Sequence, residues 1–338
     1  MDFIETTRTE LTRPFPVRPG EEIDLPVGGT WWERDRLVHN ARLHSAIEHT
    51  HGGVAVLQSA VLLWGGALWH SEDQAQIHLP WRPQGVAARG TPFRHLTRKQ
   101  RRIRLDGRSV EGHTMAIDTE RLAVIDGITV TDLAQTVFMS ARFLGPDDGK
   151  VAVESLAPVA IGRTETWRQE DRGELERRWQ AFIDPMFGWL EDLHGRRGVR
   201  QAKEILRTSQ PFAESPSESE FHRKALAAGY FDIEPQMRVR TRSGDRWTDF
   251  GCRRANVGFD ISGDVKYEGP EGARYRSDQA ARDDSIRDTG TGLVNLSAHD
   301  VADTPAILDM LDSTIGQTRA PHGIRALWTR SEERRFGR

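Results

Sequence analysis

Two short apolar runs, Trp247 to Cys252 and Val257 to Ile261, each carry one aspartate, and only Arg253-Arg254-Ala255-Asn256 separates them. Apolar runs of this length around a polar four-residue link read as a β-hairpin. Side chains alternate between the faces of a strand, so each run can display its aspartate to one side of a sheet. Adjacent antiparallel strands would then bring Asp249 and Asp260 together. Clustered carboxylates repel unless a proton or a cation joins them, and hard oxygen clusters are what Mg²⁺ takes in phosphoryl chemistry. Aspartate is also disfavoured in strands, which argues that these two are there for a reason.

The flanking sequence sets an order of elements. Ser215-Pro216-Ser217-Glu218 has the form of a capping box with proline at the first helical position. The helix it opens runs to about Ala228, with Phe221, Ala225 and Leu226 toward a core and Gly229 as its stop. A strand from Gln236 to Val239 precedes the hairpin. An Arg-rich helix from Arg274 to Arg287 follows it, then a strand from Gly292 to Leu296 and a helix from about Thr304 to Leu311. Helix, three strands, helix, strand is the core order of the PD-(D/E)XK nucleases.

Residues from about Gly195 to Leu311 resemble the very-short-patch-repair-like endonuclease domain found at the C-terminus of many bacterial proteins. The resemblance rests on Arg196-Arg197-Gly198-Val199-Arg200, the Ser215-Pro216-x-Glu218-Ser219 helix start with Arg223, the Asp249 strand, Gly263-Asp264-Val265-Lys266-Tyr267, and Arg282-Asp283-Asp284. It implies that Glu218, Asp249 and Asp260 are metal-binding carboxylates, with Mg²⁺ or Mn²⁺ as cofactor, and that Lys266, at the trailing basic position, orients the attacking water or neutralises the developing charge. Ser262 stands where that family keeps a second aspartate in Glu-x-Asp-Gly. The resemblance therefore implies either a weak metal-dependent DNA endonuclease or a catalytically dead relative that binds DNA or acts as an antitoxin-like regulator. Lys266 gains weight from composition, because the chain has only five lysines among its 47 basic residues. A lysine kept where arginine is the default suggests that a point charge is wanted there.

A formal net charge of −3 excludes a globally basic nucleic-acid-binding protein. DNA contact must then use local patches. The candidates are Arg98, Lys99, Arg101 and Arg102 in the most basic run, together with Arg223 and Arg282. The lone cysteine, Cys252, excludes an internal disulfide and a Cys-rich zinc site. With no signal-peptide pattern at the start and no apolar run of spanning length, the sequence points to the cytoplasm and to no membrane partner.

The expected fold class is α+β. Residues 1–30, with four prolines, read as an extended arm, and 31–130 as an α/β region with a helix from Arg34 to Glu48. Its Val54 to Leu57 strand, Ser59 to Trp64 helix and Gln76 to Leu79 strand resemble a type IV (abortive-infection) antitoxin-like region, which leaves a toxin or another protein as a partner. Leu122 to Ile125 and Ile128 to Val130 bracket Asp126-Gly127, a strong hairpin signal. Thr131 is positioned to cap the next helix. Residues 131–207 read as a helical middle segment in which Asp184-Pro185 starts a new helix. Residues 210–315 would form the nuclease-like domain and 316–338 a tail.

Overall fold

The computed structural model describes residues 12–18, 21–26, 31–49, 53–70, 75–79, 110–113, 116–262, 270–316 and 323–337. The chain divides into two units: Met1–Trp64 with His70–Thr136, and Gly65–Trp69 with Val137–Arg338. The class is mixed α+β.

In the first unit, β1 (Thr12–Arg18) and β2 (Glu21–Pro26) pair antiparallel. The arm expected over residues 1–30 therefore contains a hairpin. Pro14 and Pro16 sit in β1, which is tolerable because a two-stranded ribbon leaves one side of each strand without a ladder partner. Next come α1 (Trp31–His49), β3 (Val54–Ala55), α2 (Leu57–Leu63), β4 (Ala75–His78), β5 (Val110–His113), β6 (Leu122–Ile125) and β7 (Ile128–Thr131). The last five strands form one sheet in the order β5-β4-β3-β7-β6. Leu43 and Ala46 of α1, Ala60 and Leu63 of α2, and Ile77, Ile128 and Val130 of the sheet make its core. Asp126 and Gly127 both take positive φ, 50° and 77°, the backbone a two-residue hairpin turn demands. Leu57, expected at the end of a strand, instead begins α2 with a φ of 50°.

Helix α3 (Leu133–Phe143) crosses the division between units. Its cap is Asp132, whose Oδ1 accepts the Gln135 N–H at 2.7 Å; Thr131, expected in that role, remains in β7. Then follow α4 (Pro146–Ile161), α5 (Arg172–Asp192) and α6 (Val199–Thr208). Helix α5 runs unbroken through Pro185, where a restart was expected. Leu175, Trp179, Ile183, Met186 and Leu190 are buried along one stripe of it, and that packing outweighs one lost backbone hydrogen bond.

The rest of the second unit is α7 (Pro216–Ala228), β8 (Glu234–Thr241), β9 (Gly244–Cys252), β10 (Val257–Ser262), α8 (Pro270–Arg287), β11 (Gly292–Ser297), α9 (Ala298–Ala302), α10 (Thr304–Ile315) and α11 (Arg330–Phe336). Its sheet has the order β11-β10-β9-β8. The β8/β9 and β9/β10 pairs are antiparallel, and β10 runs parallel to β11 across the α8 crossover.

Helix α7 is central. Every residue from Ser217 to Ala227 is buried, although the run is rich in charge. Phe221 and Ala225 pack with Phe250 and Phe259 of the sheet and with Ile307 and Leu311 of α10. The charges of Glu220, Arg223 and Lys224 are satisfied internally. Arg223 is fully buried, forked on Glu220 and bonded to Glu332 of α11, while Lys224 donates to the Val301 carbonyl at 2.5 Å. Of the segment expected to be a tail, residues 323–337 are thus anchored, with Leu327 buried and Glu332 paired to Arg223. Among the described residues no helix is long and apolar enough to cross a membrane.

Candidate functional site

Glu218 sits in the first turn of α7 because Ser215 caps that helix: the Ser215 Oγ accepts the Glu218 N–H at 3.2 Å. The Glu218 carboxylate turns back on the same cap. It accepts the Glu214 N–H at 2.9 Å and the Ser215 hydroxyl at 2.8 Å. Burial pushes its carboxyl well above the ordinary range, and the charge of Asp249 pushes it further.

The β9/β10 register pairs Cys252 with Val257, Gly251 with Gly258 and Phe250 with Phe259. One further step sets Asp249 opposite Asp260, and opposed residues of an antiparallel pair share a face. There the ladder gives way to side chains. The Ile261 N–H donates to Asp249 Oδ2 at 2.7 Å, and the Asp249 N–H donates to Asp260 Oδ1 at 3.3 Å. Burial first, then the neighbouring Asp260, raises the Asp249 carboxyl to about 6. The Ile261 N–H and the Arg282 guanidinium oppose that rise.

Asp260 is 4% exposed and has a counter-ion. Arg282, on α8, holds its carboxylate with both terminal nitrogens and also donates to the Trp247 carbonyl. Beside it, Asp283 accepts from Gln279 at 3.0 Å and from Asn295 of β11 at 2.8 Å. Gln236, bracketed on β8 by the Pro235–Phe250 and Met237–Thr248 pairs, lies across from Asp249. It takes a φ of 49°, and its buried amide nitrogen has no hydrogen-bond partner.

Glu218, Asp249 and Asp260 are thereby linked in one chain of electrostatic contact, Glu218 to Asp249 and Asp249 to Asp260. They do not close to ligand spacing: among the described residues they are not a group offering one oxygen each within 4.8 Å. Their donor type and charge nevertheless fit a hard divalent cation, since buried like charges are what such an ion would relieve.

The other expected site residues divide. Lys266, Arg98, Lys99, Arg101 and Arg102 lie outside the described residues. Arg223 is corrected: with no exposed surface and all three guanidinium nitrogens donating to Glu220, Glu332 and the Leu327 carbonyl, it is a structural clamp and is closed to a phosphate. Arg282, expected to face DNA, is turned inward onto Asp260. Sequence reasoning missed that pairing, as it missed Gln236 and Glu214, whose charge adds to the upward pressure on Asp249. No local pattern announces any of these three. A cleft of about 520 Å³ opens between Met237–Arg240 of β8, the Arg253/Asn256 turn, and Thr289 and Thr291, and none of the three acids lines it. No family model, curated protein or solved structure matches the chain.

Proposed function

We propose that residues 216–315 form a nuclease module of the PD-(D/E)XK type that hydrolyses phosphodiester bonds of DNA weakly and with a divalent cation. The observation that carries this reading is the juxtaposition of Asp249 and Asp260 across two antiparallel strands, with Glu218 of the preceding helix in electrostatic contact, on an α-β-β-β-α-β chain order. Asp249 and Asp260, helped by Glu218, would hold Mg²⁺ or Mn²⁺. When bound, the cation supplies Lewis-acid stabilisation of charge developing on a phosphoryl oxygen. The chain's own residues do the rest. The Ile261 N–H orients Asp249, and the Arg282 fork holds Asp260 while no cation is bound. The Phe250/Phe259 side of the strands anchors them on the core. Lys266 is the candidate for neutralising charge on the phosphate.

Two observations favour a second reading. Asp260 is already neutralised by Arg282, and Ser262 removes one acid from the expected set. A module so arranged would bind DNA or a protein partner without cutting.

Plasmid nicking in Mg²⁺ or Mn²⁺, with and without a chelator, separates the two. The first reading expects slow nicking that the chelator stops, faster nicking by Ser262→Asp, and none by Asp249→Ala in that background. Absence of cleavage by both wild type and Ser262→Asp, with DNA binding intact, would favour the second.

A further inference from the structure

Arg282 and a divalent cation need the same oxygens. A carboxylate has two oxygens and about four lone-pair directions. Asp260 Oδ1 already accepts Arg282 Nη2 at 3.1 Å and the Asp249 N–H at 3.3 Å, and Oδ2 accepts Arg282 Nη1. Two parallel N–H···O bonds to one carboxylate are among the stronger side-chain pairings and hold it in a fixed plane. Asp260 therefore faces α8, and the cluster is closed by a guanidinium. The pairing is also poised to open. The Arg282 side chain is 24% exposed against 6% for Asp260, so one end of the pair reaches solvent. A second carboxylate, Asp283, lies 3.4 Å from Arg282 Nη1 and is held in place by Gln279 and Asn295. A guanidinium leaving Asp260 has an acid to rest on without crossing the site.

We propose that Arg282 is a displaceable counter-ion: it neutralises Asp260 while no metal is bound, and a divalent cation enters by exchanging with it as the guanidinium shifts toward Asp283. This rests on the nuclease reading of the carboxylates. It adds a cost to metal binding that the acids alone would not impose, and it makes Arg282 a determinant of affinity with no contact to the reacting phosphate required.

The test is Mn²⁺ binding to the full chain, by calorimetry and by the shift of the unfolding temperature, for wild type, Arg282→Gln, Arg282→Lys and Asp260→Asn. The expected result has three parts. Arg282→Gln melts lower than wild type in chelator, because Asp260 loses its partner. It binds Mn²⁺ about tenfold tighter or more, the scale of a lost charge-assisted pair, and regains its melting temperature on loading. Arg282→Lys, a point charge without the fork, falls between. Equal Mn²⁺ affinity of wild type and Arg282→Gln, with weakening in Asp260→Asn, would overturn the exchange and leave the nuclease reading standing. If no variant binds Mn²⁺, both fall. Where Arg282→Gln does not fold, Arg282→Lys against wild type decides by the same criterion.

Discussion

Asp249→Asn should stabilise the folded protein, and the gain should depend on pH in a defined way. The carboxyl titrates near 3.8 when unperturbed and is raised to about 6 in the folded chain. A carboxyl raised on folding gives up its proton first in the unfolded chain, so stability falls as pH rises from about 4 to about 6 and stays low above that. At about 1.36 kcal/mol per decade of proton concentration, the ionised Asp249 costs the folded state about 3 kcal/mol at pH 7. Asparagine removes the charge and keeps an oxygen for the Ile261 N–H, now 2.7 Å from Asp249 Oδ2. It also relieves Glu218, whose carboxyl Asp249 pushes upward. Urea unfolding of wild type and variant at pH 4, 5, 6, 7 and 8 measures the difference. The expected difference is close to zero at pH 4 and approaches about 3 kcal/mol by pH 7. Saturating Mn²⁺ should shrink it by stabilising wild type alone. A difference that is flat across pH would refute the account, since it would mean that the cluster carries no uncompensated charge.

Arg223→Met takes the guanidinium from Glu220 and Glu332, leaving Glu220 only Lys224 as a counter-charge, and should cost about 3–5 kcal/mol in urea unfolding while exposing residues 323–337 to protease. The same clamp lowers the Glu332 carboxyl from 4.5 to about 2, so wild type should lose about 3 kcal/mol of stability as pH falls through that window; a Glu332→Gln variant without a shallower acid limb would refute the assignment. Lys150 and Glu154, both fully buried and 2.7 Å apart, form a separate pair. Lys150→Met alone should be strongly destabilising, whereas the Lys150→Met, Glu154→Leu double variant should recover most of the loss. Additive losses in that cycle would show that the two do not interact.

Local signals carried much of the fold. Ser215-Pro216-x-Glu218 announced the start of α7, and Gly229, at a φ of 96°, announced its stop, because caps and left-handed termini are properties of a few adjacent residues. Asp126-Gly127 announced its hairpin for the same reason. Apolar runs placed β9, β10 and β11 to within a few residues, so Asp249 and Asp260 could be set near each other, one step beyond the Phe250–Phe259 pair. Pro185 shows the limit: the local rule broke the helix there, and a buried stripe from Leu175 to Leu190 kept it whole.

What the sequence could not contain is which charge meets which. Arg223 and Arg282 look alike as exposed, phosphate-seeking arginines when read in line. One is locked to Glu332, 109 residues away, and the other to Asp260, 22 residues away. The hydrogen-bonding capacity of a guanidinium is intrinsic to its residue type, but its partner is chosen by how α7, α8 and α11 pack on the sheet. Caps and apolar runs therefore announced α7 and β9 to β11, and with them the positions of the acids. Tertiary packing decided their protonation and their counter-ions, because the free energy of a buried charge depends on neighbours that chain order does not specify.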